Sequence, residues 1–212
     1  MKKISIVQDY LLLALKKDGS LPITDRRVLI CILAGGLVEL KLAQSIRMDA
    51  LDRIVTQGML HPDQEYLRSL YSWIQTHEPV SVDDLAREYA SWIISPRMAP
   101  LILSIGKALA DHDAVLVTGG SIFSELPGFV PKPHAVEEVV KRLRQELLDL
   151  TRLHGETAVL ADLLEKSGSL KRHFYMHEVD DMDFVLKNIK KYSIPLVWSE
   201  KWQDLITGWL SV

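Results

Sequence analysis

The chain has 212 residues, 48% of them hydrophobic and 25% charged, enough apolar material for one domain or a tight pair of subdomains with a substantial core. A formal net charge of -3 at pH 7 excludes a general nucleic-acid binder, which needs a basic surface to meet phosphate backbones, so any membrane contact must use a local patch. The single cysteine, Cys31, excludes an internal disulfide and lies in an apolar run, where it reads as a small core residue.

Met1-Lys-Lys-Ile-Ser opens on basic residues, but the apolar stretch behind it is interrupted by Gln8 and Asp9 and has no small-residue cleavage site. It does not read as a secretory leader, and the chain reads as cytoplasmic. Leu11-Leu-Leu-Ala-Leu15 and the run from Val28 to Leu40 are so apolar that their helices must be buried on every side. The second run is shorter than the roughly 18 to 20 residues needed to span a bilayer. Its Gly35-Gly36 pair suits close helix packing, and Asp25 or Thr24 can cap it, with an end near Lys41.

A second helix is expected from Asp49 to about Gly58. Pro62 opens another, carrying Tyr66, Leu70 and Trp73, and Ser81-Val-Asp-Asp84 resembles a capping box ahead of Leu85, Tyr89 and Trp92. The four-residue spacings make these core aromatics rather than a ligand box. Pro96 to Ala110 reads as a helix. Val115-Leu-Val117, Thr118-Gly-Gly-Ser121 and Ile122-Phe123 then read as a β-hairpin with a glycine turn, the only good strand signal, between about Ala114 and Phe129. Ala135 to Leu153 carries Val136, Val140, Leu143, Leu147 and Leu150 on one stripe, and Glu137 to Lys141 and Glu138 to Arg142 support a solvated face. Further helices are expected at Glu156 to Lys166, Asp181 to Tyr192 and around Trp202. The fold class is mainly α, a single globular helical domain over residues 1–212 with a projecting β-hairpin.

No phosphate loop, dinucleotide fingerprint, nucleophile elbow, HExxH pair or CxxC is present, so no catalytic residues, metal or cofactor are expected and an enzyme is not the reading. The nearest approach to a metal site is His173-Phe-Tyr-Met-His177 with acids behind it, and exposed polar residues are the better account. His61, His77, His112, His134 and His154 are dispersed beside turns and helix ends, where they suit capping or solvent contact.

The Leu11-Leu-Leu-Ala-Leu15 segment, the Lys16-Lys-Asp-Gly-Ser20 turn and the Ile30 to Leu40 helix resemble the opening of the Golgi phosphoprotein 3 family. Ile105 to Leu116, the apolar Ser121 to Leu126, the helix opened near Pro133 and Ala158 to Gly168 follow in the family's order, so matching blocks run from about Leu11 to about Ile189. The resemblance implies a peripheral membrane protein: characterised eukaryotic relatives recognise phosphatidylinositol 4-phosphate and bind the cytoplasmic tails of Golgi enzymes. Their headgroup pocket uses a tryptophan and three arginines, and the matching positions here fall near Thr24, Leu33, Ala99 and Ile102. None is kept, which implies altered or weakened anionic-lipid recognition. Arg26, Arg27 and Arg97 lie close by and form a substitute anionic site on one reading, first-turn surface residues on the other.

The family's hairpin faces the membrane and takes part in self-association. Its counterpart carries Ile122, Phe123, Leu126, Pro127 and Phe129, an apolar contact strip on a projecting element, the alternative being that Phe123 and Leu126 pack inward. The expected partners are therefore an anionic lipid headgroup, protein tails and a second copy through the hairpin, with no nucleic acid; the alternative is a soluble helical scaffold or regulatory protein without lipid binding. The departures, with no long basic N-terminal extension, suggest a bacterial member.

Overall fold

The computed structural model describes residues 4–90, 95–119, 127–149 and 153–174. The two most apolar segments of the sequence become neighbouring central helices. In α1 (Ile6–Ala14), the amide of the N-cap Ser5 donates to Gln8 Oε1 at 3.0 Å. Every residue of α1 is buried, Gln8 and Asp9 included, because four later helices pack around it. Helix α2 (Arg26–Leu42) starts at Asp25, whose side chain accepts the Arg27 amide at 3.0 Å and so satisfies a first-turn donor.

Val28 to Leu40 of α2 are buried without a break, each buried leucine contributing about 1.5–3 kcal/mol by leaving water. Cys31 lies among them, its thiol pushed up to about 12 by burial, which makes it inert. Gly35 and Gly36 permit this enclosure. A β-carbon at Gly35 would stand 3.2 Å from Val7 of α1, and one at Gly36 would stand 3.2 Å from Leu67 and Leu70. Two adjacent glycines thus let α2 approach a different neighbour on each side.

The segment expected as a helix from Asp49 to Gly58 is instead part of a β-hairpin. Strand β1 (Ile46–Met48) pairs antiparallel with β2 (Ile54–Thr56), Arg47 opposite Val55. The turn explains the difference: Asp49 Oδ1 accepts the Leu51 and Arg53 amides at 2.8 and 2.9 Å, and Oδ2 accepts from the Arg53 guanidinium at 3.0 Å. Asp52 takes φ 58, a left-handed conformation that a helix does not pass through. The β-branched Ile54-Val55-Thr56 suit the strand that follows.

A 3-10 turn (Pro62–Leu67), where His61 Nδ1 accepts the Asp63 amide at 3.2 Å, leads into α3 (Arg68–His77). The helix expected from Pro62 therefore begins with tighter winding. Leu70 and Trp73 are buried and Tyr66 is half-buried. In α4 (Val82–Tyr89), the N-cap Ser81 hydroxyl accepts the Asp84 amide at 3.1 Å, and Leu85 and Tyr89 face the core. Trp92 lies outside the described residues.

Helix α5 (Met98–Asp111) runs into a second hairpin, β3 (Val115–Thr118) with β4 (Gly128–Pro131), Val117 opposite Phe129. The return strand expected at Ile122-Phe123 lies outside the described residues, and the pairing partner described is Gly128–Pro131. Helices α6 (Pro133–Leu148) and α7 (Gly155–Lys166) complete the packing, with Leu143 and Leu147 of the expected stripe buried. A 3-10 turn (Leu170–Arg172) follows. Leu150 and the helices expected beyond residue 180 lie outside the described residues. The architecture is mainly α, and among the described residues there are two small antiparallel hairpins, one more than the sequence reading allows. No helix among the described residues is long and apolar enough to cross a membrane.

Candidate functional site

The β3–β4 hairpin is fastened from two sides. Phe129 lies 4% exposed against α5, where a β-carbon at Gly106 would come within 2.4 Å of its ring. On the other side sits the Lys16–Ser20 turn. Gly19 has φ +81, and a β-carbon there would stand 2.9 Å from Val130 and 3.1 Å from the Phe129 carbonyl. Glycine is required at both positions, once for contact and once also for backbone conformation.

Between this turn, α5 and the hairpin lies a cavity of about 360 Å³. Leu21, Ile23, Ile102, Leu103, Pro127 and Phe129 give it apolar walls, and Asp18 is the one charged side chain among its described lining. The Ser20 amide and hydroxyl donate to Asp18 at 2.9 and 2.6 Å, holding its carboxyl below the usual range. A fixed anion beside apolar walls repels phosphate and admits an apolar group. On β3 beside the cavity, Leu116 and Val117 are each 55% exposed, and Ile23 is 39% exposed. Consecutive exposed apolar residues lie on opposite faces of a strand, so alternation does not single them out.

The three arginines take separate roles. Arg27 pairs with Asp25, Nη2 to Oδ2 at 2.7 Å and Nε to Oδ1 at 2.9 Å, and this holds the Asp25 carboxyl low. Arg26 Nε donates to the Ala90 carbonyl at 3.0 Å. Arg97 Nε pairs with Glu88 Oε2 at 2.9 Å, and its guanidinium lies 5.7 Å from the centroid of the Trp73 ring. Arg26 and Arg97 thus each bond to a residue at the C-terminal end of α4, the end that favours cations. None of the three lines the 360 Å³ cavity. Of the positions matched to the family's headgroup pocket, Ile102 does line it, whereas Leu33 is buried in the core at 1% exposure. Ile122, Phe123 and Leu126 lie outside the described residues, and Phe129, expected in an outward apolar strip, points inward onto Gly106.

Polar groups on α1 and α6 also depart from the sequence reading. Arg142, expected to support a wet face with Glu138, turns inward to pair with the buried Asp9, 133 residues away. Glu146 accepts from the His154 amide and lies 3.0 Å from His154 Nδ1. His173, expected exposed, is half-buried with Nε2 2.9 Å from the Leu13 carbonyl, and burial lowers its proton affinity. His177 lies outside the described residues. Among the described residues no group of three or more His, Cys, Asp or Glu is placed to hold a metal ion.

A mainly helical body, two glycine-lined helix contacts and a hairpin held over α5 define a helical protein with one apolar cavity at a hairpin base. The family model described as Golgi phosphoprotein 3 (GPP34) matches residues 6–203, and the chain belongs to that family, which is not a family of enzymes. Comparison with curated proteins finds no match.

Proposed function

We propose that the protein is a non-enzymatic peripheral membrane protein that binds anionic membranes weakly, by an apolar contact at the β3–β4 hairpin and by local arginine charge, without strong preference for phosphatidylinositol 4-phosphate. The observation that carries this reading is the apolar cavity at the hairpin base, with Leu116 and Val117 exposed beside it and Asp18 where a phosphate cradle would need cations. Each basic residue near an anionic surface adds about 1 kcal/mol, so three arginines give marginal attachment and apolar burial must supply the rest.

A soluble helical scaffold or regulator is the second reading. The pairing of Arg27 with Asp25 and of Arg97 with Glu88 favours it, since both charges already have acidic partners. Co-sedimentation with vesicles of graded anionic content, with and without the 4-phosphate headgroup, separates the two. Weak, salt-sensitive binding is expected. Leu116→Ser with Val117→Ser should weaken it and keep the salt dependence, while Arg26→Glu with Arg27→Glu should weaken it and flatten that dependence. Tight 4-phosphate-selective binding overturns the lack of preference, and no binding to any anionic vesicle selects the scaffold.

A further inference from the structure

A second cleft, of about 400 Å³, opens at the N-terminus of α1 and shares no described lining residue with the hairpin cavity. Its polar wall carries Ser5, Glu39, Gln64 and Tyr66, and its apolar wall Ile4, Ile6 and Leu42. Glu39, from the last turns of α2, is 5% exposed. Its Oε1 accepts the Val7 amide at 2.6 Å and its Oε2 accepts the Tyr66 hydroxyl at 2.6 Å. Both donors are neutral. Gln64 Nε2 donates to the Glu39 backbone carbonyl at 3.0 Å, and this leaves Gln64 Oε1 buried with no hydrogen-bond partner among the described residues.

A buried carboxylate facing only neutral donors is poorly compensated, and a buried amide oxygen with no donor costs its full desolvation. Burial accordingly raises the proton affinity of Glu39. Both deficits call for the same chemistry, a cation that donates hydrogen bonds. No lysine or arginine is among the described residues that line the cleft, and Asp63 and Glu156, which do line it, deepen its negative potential.

We propose that this cleft binds a primary alkylammonium group, its N–H donors directed to Glu39 and Gln64 Oε1 and its carbon chain laid along Ile4, Ile6 and Leu42. A free diamine or polyamine and the lysine side chain of a polypeptide present that same group. The site is independent of the membrane reading.

Amide-resolved NMR titration of the full chain tests it, with butylammonium, tetramethylammonium and butanol as probes. Butylammonium should give saturable shifts at the Val7 amide and the Gln64 side-chain amide, and tetramethylammonium, a cation without donors, should bind about tenfold more weakly or worse. Glu39→Gln and Gln64→Leu should each weaken butylammonium by about tenfold. Gln64→Leu leaves the Glu39 contacts to Val7 and Tyr66 in place, so it reports on binding even where Glu39→Gln disturbs α1. Tighter binding of a lysine-containing peptide than of its acetyl-lysine form and of cadaverine assigns the polypeptide source, whereas tighter binding of cadaverine assigns the free amine. No saturable shift, equal response to tetramethylammonium, or unchanged affinity in both variants overturns the proposal.

Discussion

Gly106 of α5 and Phe129 of β4 meet so closely that a β-carbon on Gly106 would stand 2.4 Å from two ring carbons. That contact fixes the hairpin against the helical body, and no small adjustment relieves it, since the ring is itself buried. Gly106→Ala should therefore destabilise by about 1–3 kcal/mol, as overpacked cores do. The same substitution in a Phe129→Leu background should cost less, because the clash partner is gone. Denaturant unfolding of the four proteins in the cycle checks it, and strict additivity would show that the two residues do not touch.

Leu37, 1% exposed in the middle of α2, tests the central helix. Leu37→Ala removes side-chain volume from a site enclosed by close-packed neighbours, and the expected loss is about 2–5 kcal/mol. A loss below about half a kcal/mol by urea unfolding would contradict the burial of this helix.

The pairing of Asp9 with Arg142 locks α1 to α6, and its two side chains are 4% and 31% exposed. Arg142→Met leaves the carboxylate in place without its guanidinium. Since Arg142 keeps some contact with water, the loss should be about 3 kcal/mol, at the low end for a broken buried pair. Replacing both, Asp9→Leu with Arg142→Met, should recover much of that loss, and a double variant no more stable than Arg142→Met alone would rule out the pair as the cause.

How far these features could be read from the sequence follows from the range of the interactions involved. The α1 and α2 cores were legible because an unbroken apolar run has only one stable place, and the Asp25 and Ser81 caps were legible because capping is settled within three residues. The β1–β2 hairpin was not, because Asp49 acts through three bonds to its own turn and the pattern around it also fits a helix. Nor was the Asp9–Arg142 pair, which joins residues 133 apart. At the candidate site, the residues that line the cavity come from the segment Leu15 to Ile23, α5 and the hairpin, and only the fold brings them together.

Buried Glu39 and half-buried His173 should give the stability opposing pH dependences in weak acid. Burial raises the Glu39 carboxyl above its ordinary 4.5, with Tyr66 and the Val7 amide opposing the shift. Above pH 4.5 the native state holds a proton that the unfolded chain has released, so this contribution to stability falls as pH rises through the folded value. His173 runs the other way. Burial lowers it from 6.5 against the pull of the Leu13 carbonyl, so below pH 6.5 the unfolded chain takes up a proton that the native state refuses, and stability falls as pH falls. Relative to the wild type, Glu39→Gln should gain stability as pH rises from about 5 to about 7, and His173→Gln should gain as pH falls over the same range. Urea midpoints measured across that range for the three proteins check both signs, and a Glu39→Gln curve parallel to the wild type would show that Glu39 titrates alike in the folded and unfolded chains.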